Sequence, residues 1–305
     1  FSSKLKSNSL GGIFLIVFFI YEFLLIQSQY IFLLFLIFIF MVGFMSDIKR
    51  LNNVGLRFFL QLILIILFSK IIGIEIQTTK IDFVDQILSY EYINIIFVTF
   101  CLMVLINGGN FIDGLNGLML KYYILIFLVL FFYFGYHPDI DKNFLLNFIL
   151  ILIIILSLNL SGYIYMGDSG AYLLSLFTGV YLINFSYTHN FVSPYFIILL
   201  LWYPCFELLF SMIRRYIYKS KTYKPDVLHL HQYIYNLIKS KVTSNDLMCH
   251  LFTSLSINFY NLIIFLLALN FIYDSKILIS ILIGNIIIYL VVYKLLQKKN
   301  YETSN

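Results

Sequence analysis

An all-α, polytopic bundle of transmembrane helices with about ten spans is the fold that this sequence predicts. Composition, long apolar runs and segregated charge all point to it. Of 305 residues, 61% are hydrophobic and 11% charged, and the mean hydropathy is +0.93, far above that of a soluble domain. The net charge is +5, and no nucleic-acid partner is expected. With aromatics at 19%, the aromatic stripes are expected to be mostly lipid-facing.

A helix needs about 20 apolar residues to cross the hydrocarbon core. Apolar runs between polar punctuation give ten candidates, roughly 11–27, 30–45, 56–76, 92–106, 117–136, 144–160, 171–187, 195–212, 251–273 and 277–293. They must be helices, because lipid leaves each backbone N–H and C=O to be satisfied within its own segment, and no barrel-like alternation is present. Lys4 and Lys6 precede the first run, but no small-residue cleavage pattern follows, so this run reads as an anchor that stays. The chain starts at Phe1, and a truncated or processed N-terminus is expected. Cys101, Cys205 and Cys249 show neither disulfide nor zinc spacing.

Ten spans divide the loops into two sets. Of the 20 Lys and Arg residues, one set holds only Lys70, Lys80, Lys142 and Lys276. The other set, with loops near 46–57, 107–117 (counted to Lys121), 161–170 and 213–250 plus both termini, holds the rest and is therefore expected in the cytoplasm. Glu22, Glu75, Asp82, Asp85, Glu91, Asp139, Asp141 and Asp274 then read as ordinary solvated charges outside. Asp47, Asp113, Asp168 and Glu207 lie at cytoplasmic helix ends. No charged residue reads as mid-membrane, which counts against a pump or transporter.

Four cytoplasmic segments carry the chemistry. In 107–118, Asn107, Asn110, Asp113 and Asn116 recur at steps of three among four glycines. On a helix they would share one drifting face beside a ligand, and in a reverse turn they are ordinary turn formers. Asp168, between Gly167 and Ser169-Gly170, either binds a ligand or caps the next helix. Asp47 stands beside Lys49 and Arg50, which positive-inside anchoring explains equally well. His229 and His231 share one side if extended and diverge if helical, in a basic loop that could also attract anionic lipid. Together, three carboxylates, two histidines and the bases Arg214 and Arg215 on one face match the needs of a diphosphate nucleotide, a divalent cation and a lipid phosphate.

These segments resemble the polyprenyl-phosphate N-acetylhexosamine-1-phosphate transferases, the membrane enzymes that initiate peptidoglycan lipid, O-antigen or common-antigen synthesis. Gly11-Gly12-Ile13 is similar to the end of that family's first cytoplasmic loop. Ser46-Asp47-Ile48-Lys49 resembles its paired-aspartate motif, 107–118 its Asp-Gly motif and Tyr165 to Gly170 its Phe-Met-Gly-Asp motif. Lys224-Pro225-Asp226 with His229-Leu230-His231 resembles its histidine loop. The resemblance implies a single integral-membrane transferase domain over 1–305, one N-terminal helix short, in the bacterial inner membrane with its site facing the cytoplasm. It implies a UDP-sugar donor, an undecaprenyl (polyprenyl) phosphate acceptor and Mg²⁺, with Mn²⁺ as an alternative, and it is compatible with a homodimer. By that similarity Asp168 is the metal ligand, Asp113 a neighbouring carboxylate and Asp47 a partner of the acceptor phosphate. His229 and His231 hold the diphosphate or sugar, Tyr165 stacks on uracil, and Lys49, Asn107, Asn110, Asn116, Arg214 and Arg215 bind substrate.

Three positions depart from the family pattern: Ser46 for the first acid, Asn116 for an Asp and Gln232 for the last histidine. The acid missing at 46 is one proposed to deprotonate the acceptor. A phosphate monoester has a second pKa of about 6 and does not require that base. Competing readings are a transporter or flippase, for which Pro204 and Glu207 are the only hint, and an inactive relative. A CDP-alcohol phosphotransferase is disfavoured, because its Ala-Arg and downstream aspartates do not follow Asp113-Gly114.

Overall fold

The computed structural model describes residues 9–26, 29–217 and 228–304. Lys4, Lys6, Lys219, Lys221 and the Lys224-Pro225-Asp226 part of the histidine loop lie outside the described residues. Among the described residues there are twelve α-helices and no strand. Each of the ten predicted spans corresponds to a helix. These are α1 (Gly11–Ile20), α2 (Tyr30–Asp47), α3 (Val54–Ile72), α5 (Glu91–Ile112), α6 (Leu118–Val129), α7 (Lys142–Leu160), α8 (Gly167–Thr188), α9 (Pro194–Ile217), α11 (Asp246–Leu269) and α12 (Ser275–Ser304). A short α4 (Asp82–Leu88) precedes α5, and an amphipathic α10 (Leu230–Lys241) packs on α11 and α12. Seven helices are individually long and apolar enough to cross a membrane, and α1 and α6 reach shorter apolar lengths with their π-helical continuations, Tyr21–Ile26 and Leu130–Phe134.

The axis of the bundle is α8, which packs on α1, α2, α5 and α9. It carries Asp168, Ser169, Ser175 and Thr178: Thr178 donates to the Leu174 carbonyl one turn back at 2.8 Å, and Ser175 pairs with Tyr123 on α6 at 2.7 Å. The aromatics are not merely lipid-facing. Phe19, Phe127, Phe148 and Phe177 interlock inside the bundle with centroids 4.7–4.8 Å apart in three of their pairs, where rings gain from edge-to-face packing.

Two boundary expectations change. Helix α5 continues six residues past the predicted end at 106, through Asn107 and Asn110 to Ile112. Asn107 stays helical because its amide donates to the Met103 carbonyl one turn back, at 2.8 Å. Gly108 and Gly109 lie within the helix where neighbours leave no room for a side chain: a Cβ on Gly108 would sit 2.3 Å from the Pro204 carbonyl oxygen. Glu22 is also not a solvated outer charge. It is 2% exposed, held in the π-helical turn after α1, and accepts from Asn147 on α7 at 3.2 Å. A buried carboxylate needs such a partner, and the outer end of α1 lies inside the bundle.

Because α5 and α9 meet backbone to backbone at Gly108, Gly108→Ala is expected to destabilise the detergent-solubilised protein by about 1–3 kcal/mol through overpacking. Gly284→Ala, at a position with open space around it, should leave the midpoint unchanged or slightly raised. Thermal unfolding of the two variants side by side measures the contrast.

Candidate functional site

The site forms where α8 begins. Gly167 has φ +67°, a left-handed conformation that suits glycine, and a Cβ there would lie 2.6 Å from the Asp47 carboxylate. That carboxylate closes the start of α8 from another helix. Its Oδ1 accepts from the Asp168 backbone N–H at 2.8 Å, and its Oδ2 accepts from the Ser169 N–H at 3.1 Å and the Ser169 hydroxyl at 2.6 Å. The free N–H groups and positive end of a helix favour such an anion. The expected cap at this helix is therefore Asp47, not Asp168.

With the cap supplied from elsewhere, the Asp168 side chain faces outwards. Its Oδ2 accepts from the Ser46 hydroxyl at 2.5 Å and pairs with Arg57, which also donates to Ser46. The approach is possible because Gly11, Gly12 and Gly43 present bare backbone to the first turn of α8. A Cβ on Gly43 would fall 2.4 Å from the Ser169 Cα, and one on Gly12 2.5 Å from the Ser169 hydroxyl. Tyr165, just before α8, is half-buried and its carbonyl accepts from Gly11 N at 3.0 Å. Lys49 is exposed at the turn ending α2, at φ +60°.

Asp113 ends α5. Although part of its surface is open, burial pushes its carboxyl well above the usual carboxylate range, and the nearby Asp168 and Asp47 carboxylates add to the shift. Asn107 and Asn110 lie half-buried on the last turns of α5, with Asn107 within 3.4 Å of Gln61 on α3. Asn116 turns away towards α7: its amide donates to the Asn159 carbonyl at 3.2 Å, and the Asn159 side chain accepts from Gly117 N at 2.7 Å. This staple fixes the Asp-Gly turn.

The histidine loop docks on that turn. Glu207, 1% exposed on α9, pairs with His229 Nδ1 at 3.0 Å and accepts from Leu230 N at 3.3 Å and from the Tyr289 hydroxyl at 2.6 Å. Glu207 is thus a loop anchor, and close packing of Pro204 on Gly108 accounts for the other residue that hinted at a transporter. His229 and His231 do not diverge. Their rings stack within 1° of parallel at 5.3 Å, because His229 is still extended, just before α10 begins at Leu230. Phe111 meets His229 edge-on at 5.0 Å, and the Arg215 guanidinium lies 5.7 Å over Phe111. His231 Nε2 would be 3.4 Å from a Cβ on Gly114, which places it beside the Asp113-Gly114 turn. Arg214 is buried and donates to the Leu228 carbonyl, to Tyr293 at 2.5 Å and to Ser211 at 3.1 Å, so it ties the loop base to α12. Gln232, where the resembled motif ends in histidine, accepts from the His229 backbone at 3.4 Å.

Asp47, Asp113, Asp168, Tyr165 and the two histidines therefore gather at one end of the bundle, while Asn116 and Arg214 are engaged in holding it together. Arg57, Ser46 and Glu207 are the partners that sequence reasoning did not assign. A base at a membrane edge looks like anchoring, and the sequence carries no separate signal for Arg57. Among the described residues no group of three or more His, Cys, Asp or Glu side chains is arranged to hold a metal ion. An apolar cavity of about 480 Å³, lined by Phe97, Cys101, Leu105, Leu182, Trp202 and Phe206, runs between α5, α8, α9 and α12.

Fold and site together define a polytopic membrane protein with a cluster of carboxylates and imidazoles at one end. Residues 29–186 match the family described as glycosyl transferase family 4; this is just over half the chain and includes Asp47, Asp113 and Asp168, and the chain belongs to that family. Its members are polyprenyl-phosphate sugar-phosphate transferases. No curated protein matches the chain.

Burial holds the His231 imidazole down at about 4, outweighing the attraction of Glu207. A histidine whose folded pKa lies below its ordinary 6.5 binds more protons when unfolded, so its contribution is lost as pH falls from 6.5 towards 4. Protection of the α10 amides, taken relative to their intrinsic exchange rates, should fall over that window, and His231→Phe should flatten the pH dependence.

Proposed function

We propose that this protein transfers a sugar 1-phosphate, of the N-acetylhexosamine class, from a UDP-sugar to undecaprenyl phosphate, releasing UMP and initiating a cell-envelope glycan. The observation that carries the reading is the gathering of Asp47, Asp113, Asp168, His229 and His231 at the end of the bundle that holds most of the basic residues. That charge bias favours the cytoplasmic face of a bacterial inner membrane. The whole chain acts as one transferase domain, and the cavity between α5 and α9, apolar and open to the helix surfaces of the bundle, suits the tail of the lipid acceptor.

The residues fit a divalent cation. Asp168 has one carboxylate oxygen engaged by Ser46 and Arg57, and the Asp113 carboxyl is raised first by burial and then by the neighbouring Asp168 and Asp47 carboxylates, whose charge a cation would offset. Mg²⁺ is commonly held by one or two carboxylates plus substrate phosphates, so Asp168, with Asp113 nearby, would hold Mg²⁺ or Mn²⁺. When bound, the cation supplies neutralisation of phosphate charge.

In the reaction an oxygen of the acceptor phosphate attacks the β-phosphorus of the donor. The bond from that phosphorus to the bridging oxygen breaks, and UMP leaves with the electron pair. The acceptor is largely ionised near neutral pH, so Ser46 in place of an acid is compatible with activity. Catalysis is then alignment and charge compensation. Lys49, Arg57 and Arg215 offset the phosphates, and His229, oriented by Glu207, donates from its free edge to the diphosphate beside His231. Tyr165 offers its ring to uracil, and Asn107 and Asn110 face the nucleotide. Asp47 acts by fixing the start of α8, so that Asp168 keeps its place.

Membranes supplied with Mg²⁺, undecaprenyl phosphate and a panel of UDP-N-acetylhexosamines are expected to yield a lipid diphospho-sugar and UMP. Asp168→Asn should reduce UMP release at least a thousandfold, about 4 kcal/mol, with unchanged unfolding temperature. No lipid product from any donor would turn the assignment towards a transporter or an inactive relative.

A further inference from the structure

Three carboxylates gather around the start of α8, and their surroundings differ. Asp47 is occupied by the N–H groups of α8 and the Ser169 hydroxyl. Asp113 is surrounded by negative charge and accepts no hydrogen bond among the described residues. Asp168 alone contacts a cation, Arg57, with side-chain exposures of 19% for the arginine and 22% for the aspartate. Water and ligand therefore reach the pair. The Arg57 Nε is buried without a hydrogen-bond partner, so the guanidinium holds unused donor capacity beside the carboxylate.

Position 46 sets this arrangement. The Ser46 hydroxyl donates to the same Asp168 oxygen that Arg57 contacts. An acid at 46 would share the guanidinium between two carboxylates, but a neutral hydroxyl leaves its charge to Asp168.

On the reading of Asp168 as a ligand of a divalent cation, we propose that Arg57 is a resident counter-cation. It holds Asp168 while the divalent cation is absent and turns onto the donor phosphates when that cation binds. Two cations on one carboxylate repel each other, and a planar guanidinium fork suits phosphate oxygens. Bare cation then competes with Arg57 and binds weakly, whereas nucleotide draws Arg57 away and strengthens cation binding. By linkage the cation strengthens nucleotide binding by the same factor.

Mn²⁺ binding to the purified full chain, followed by electron paramagnetic resonance of the free ion, tests this without turnover. Arg57→Gln should bind Mn²⁺ alone about fivefold more tightly, the factor expected for removing one partly exposed opposing charge. The same variant should lose about tenfold in affinity for UDP at saturating Mn²⁺, because a charged phosphate contact is gone. Arg57→Lys should keep Mn²⁺ affinity near that of the unaltered protein and still weaken UDP. Ser46→Asp, which leaves Arg57 in place, should also tighten Mn²⁺, and the double variant should show less than the sum of the two effects, since both release the same carboxylate. Mn²⁺ affinity in Arg57→Gln equal to or below that of the unaltered protein, with matched unfolding temperatures, overturns the counter-cation. Absence of Mn²⁺ binding to the unaltered protein even with UDP overturns the metal reading of Asp168 itself, which the first result would leave standing.

Discussion

The start of α8 is where the site and the fold become one problem. A helix that begins inside a bundle has N–H groups with no partner of their own, and leaving them bare costs more than most single contacts return. Here the partner comes from 121 residues away: Asp47, the last residue of α2, takes the Asp168 and Ser169 N–H groups. Glycines on α1 and α2 let the helices approach closely enough for the bond to form. The capping bond thus orders three helices, and because Asp168 is itself one of the capped residues, the same bond fixes the carboxylate that faces out.

Around that point, charge is arranged in layers. Carboxylates gather at the centre, Arg57 touches one of them, and Arg215 stacks at the edge over Phe111. Burial favours the neutral form of Asp113, so this end carries less negative charge than three carboxylates would suggest. Anionic substrates meet a surface already partly compensated, and the protein does not need to reorganise large charges to receive them.

Most of the architecture was legible because lipid leaves few choices. Apolar runs of sufficient length must be helices, and ten such runs gave ten helices. The errors came where local chemistry substitutes for hydrophobicity. Asn107, Gly108 and Gly109 read as a turn, yet one is bonded back to Met103 and the others are pressed against α9 and α8. Glu22 read as solvated because no sequence pattern announces Asn147 across the bundle. The motif residues were found by type and spacing, and the structure brings most of them together. Their partners were not: Arg57, Ser46 and Glu207 act through contacts between helices distant in sequence, and a base at a membrane edge or an acid near a proline has a simpler explanation on its own.

The anchoring of the histidine loop bears on how the molecule is assembled. Glu207 and Arg214 hold the residues around His229 directly and are braced by Tyr289 and Tyr293, and both tyrosines sit on α12, which leaves the ribosome after every other helix described. Until that helix inserts, the acidic half of the site can form but the imidazoles lack this bracing. A chain without α12 would present the carboxylates without firmly braced histidines, so the two halves of the site are completed by different helices.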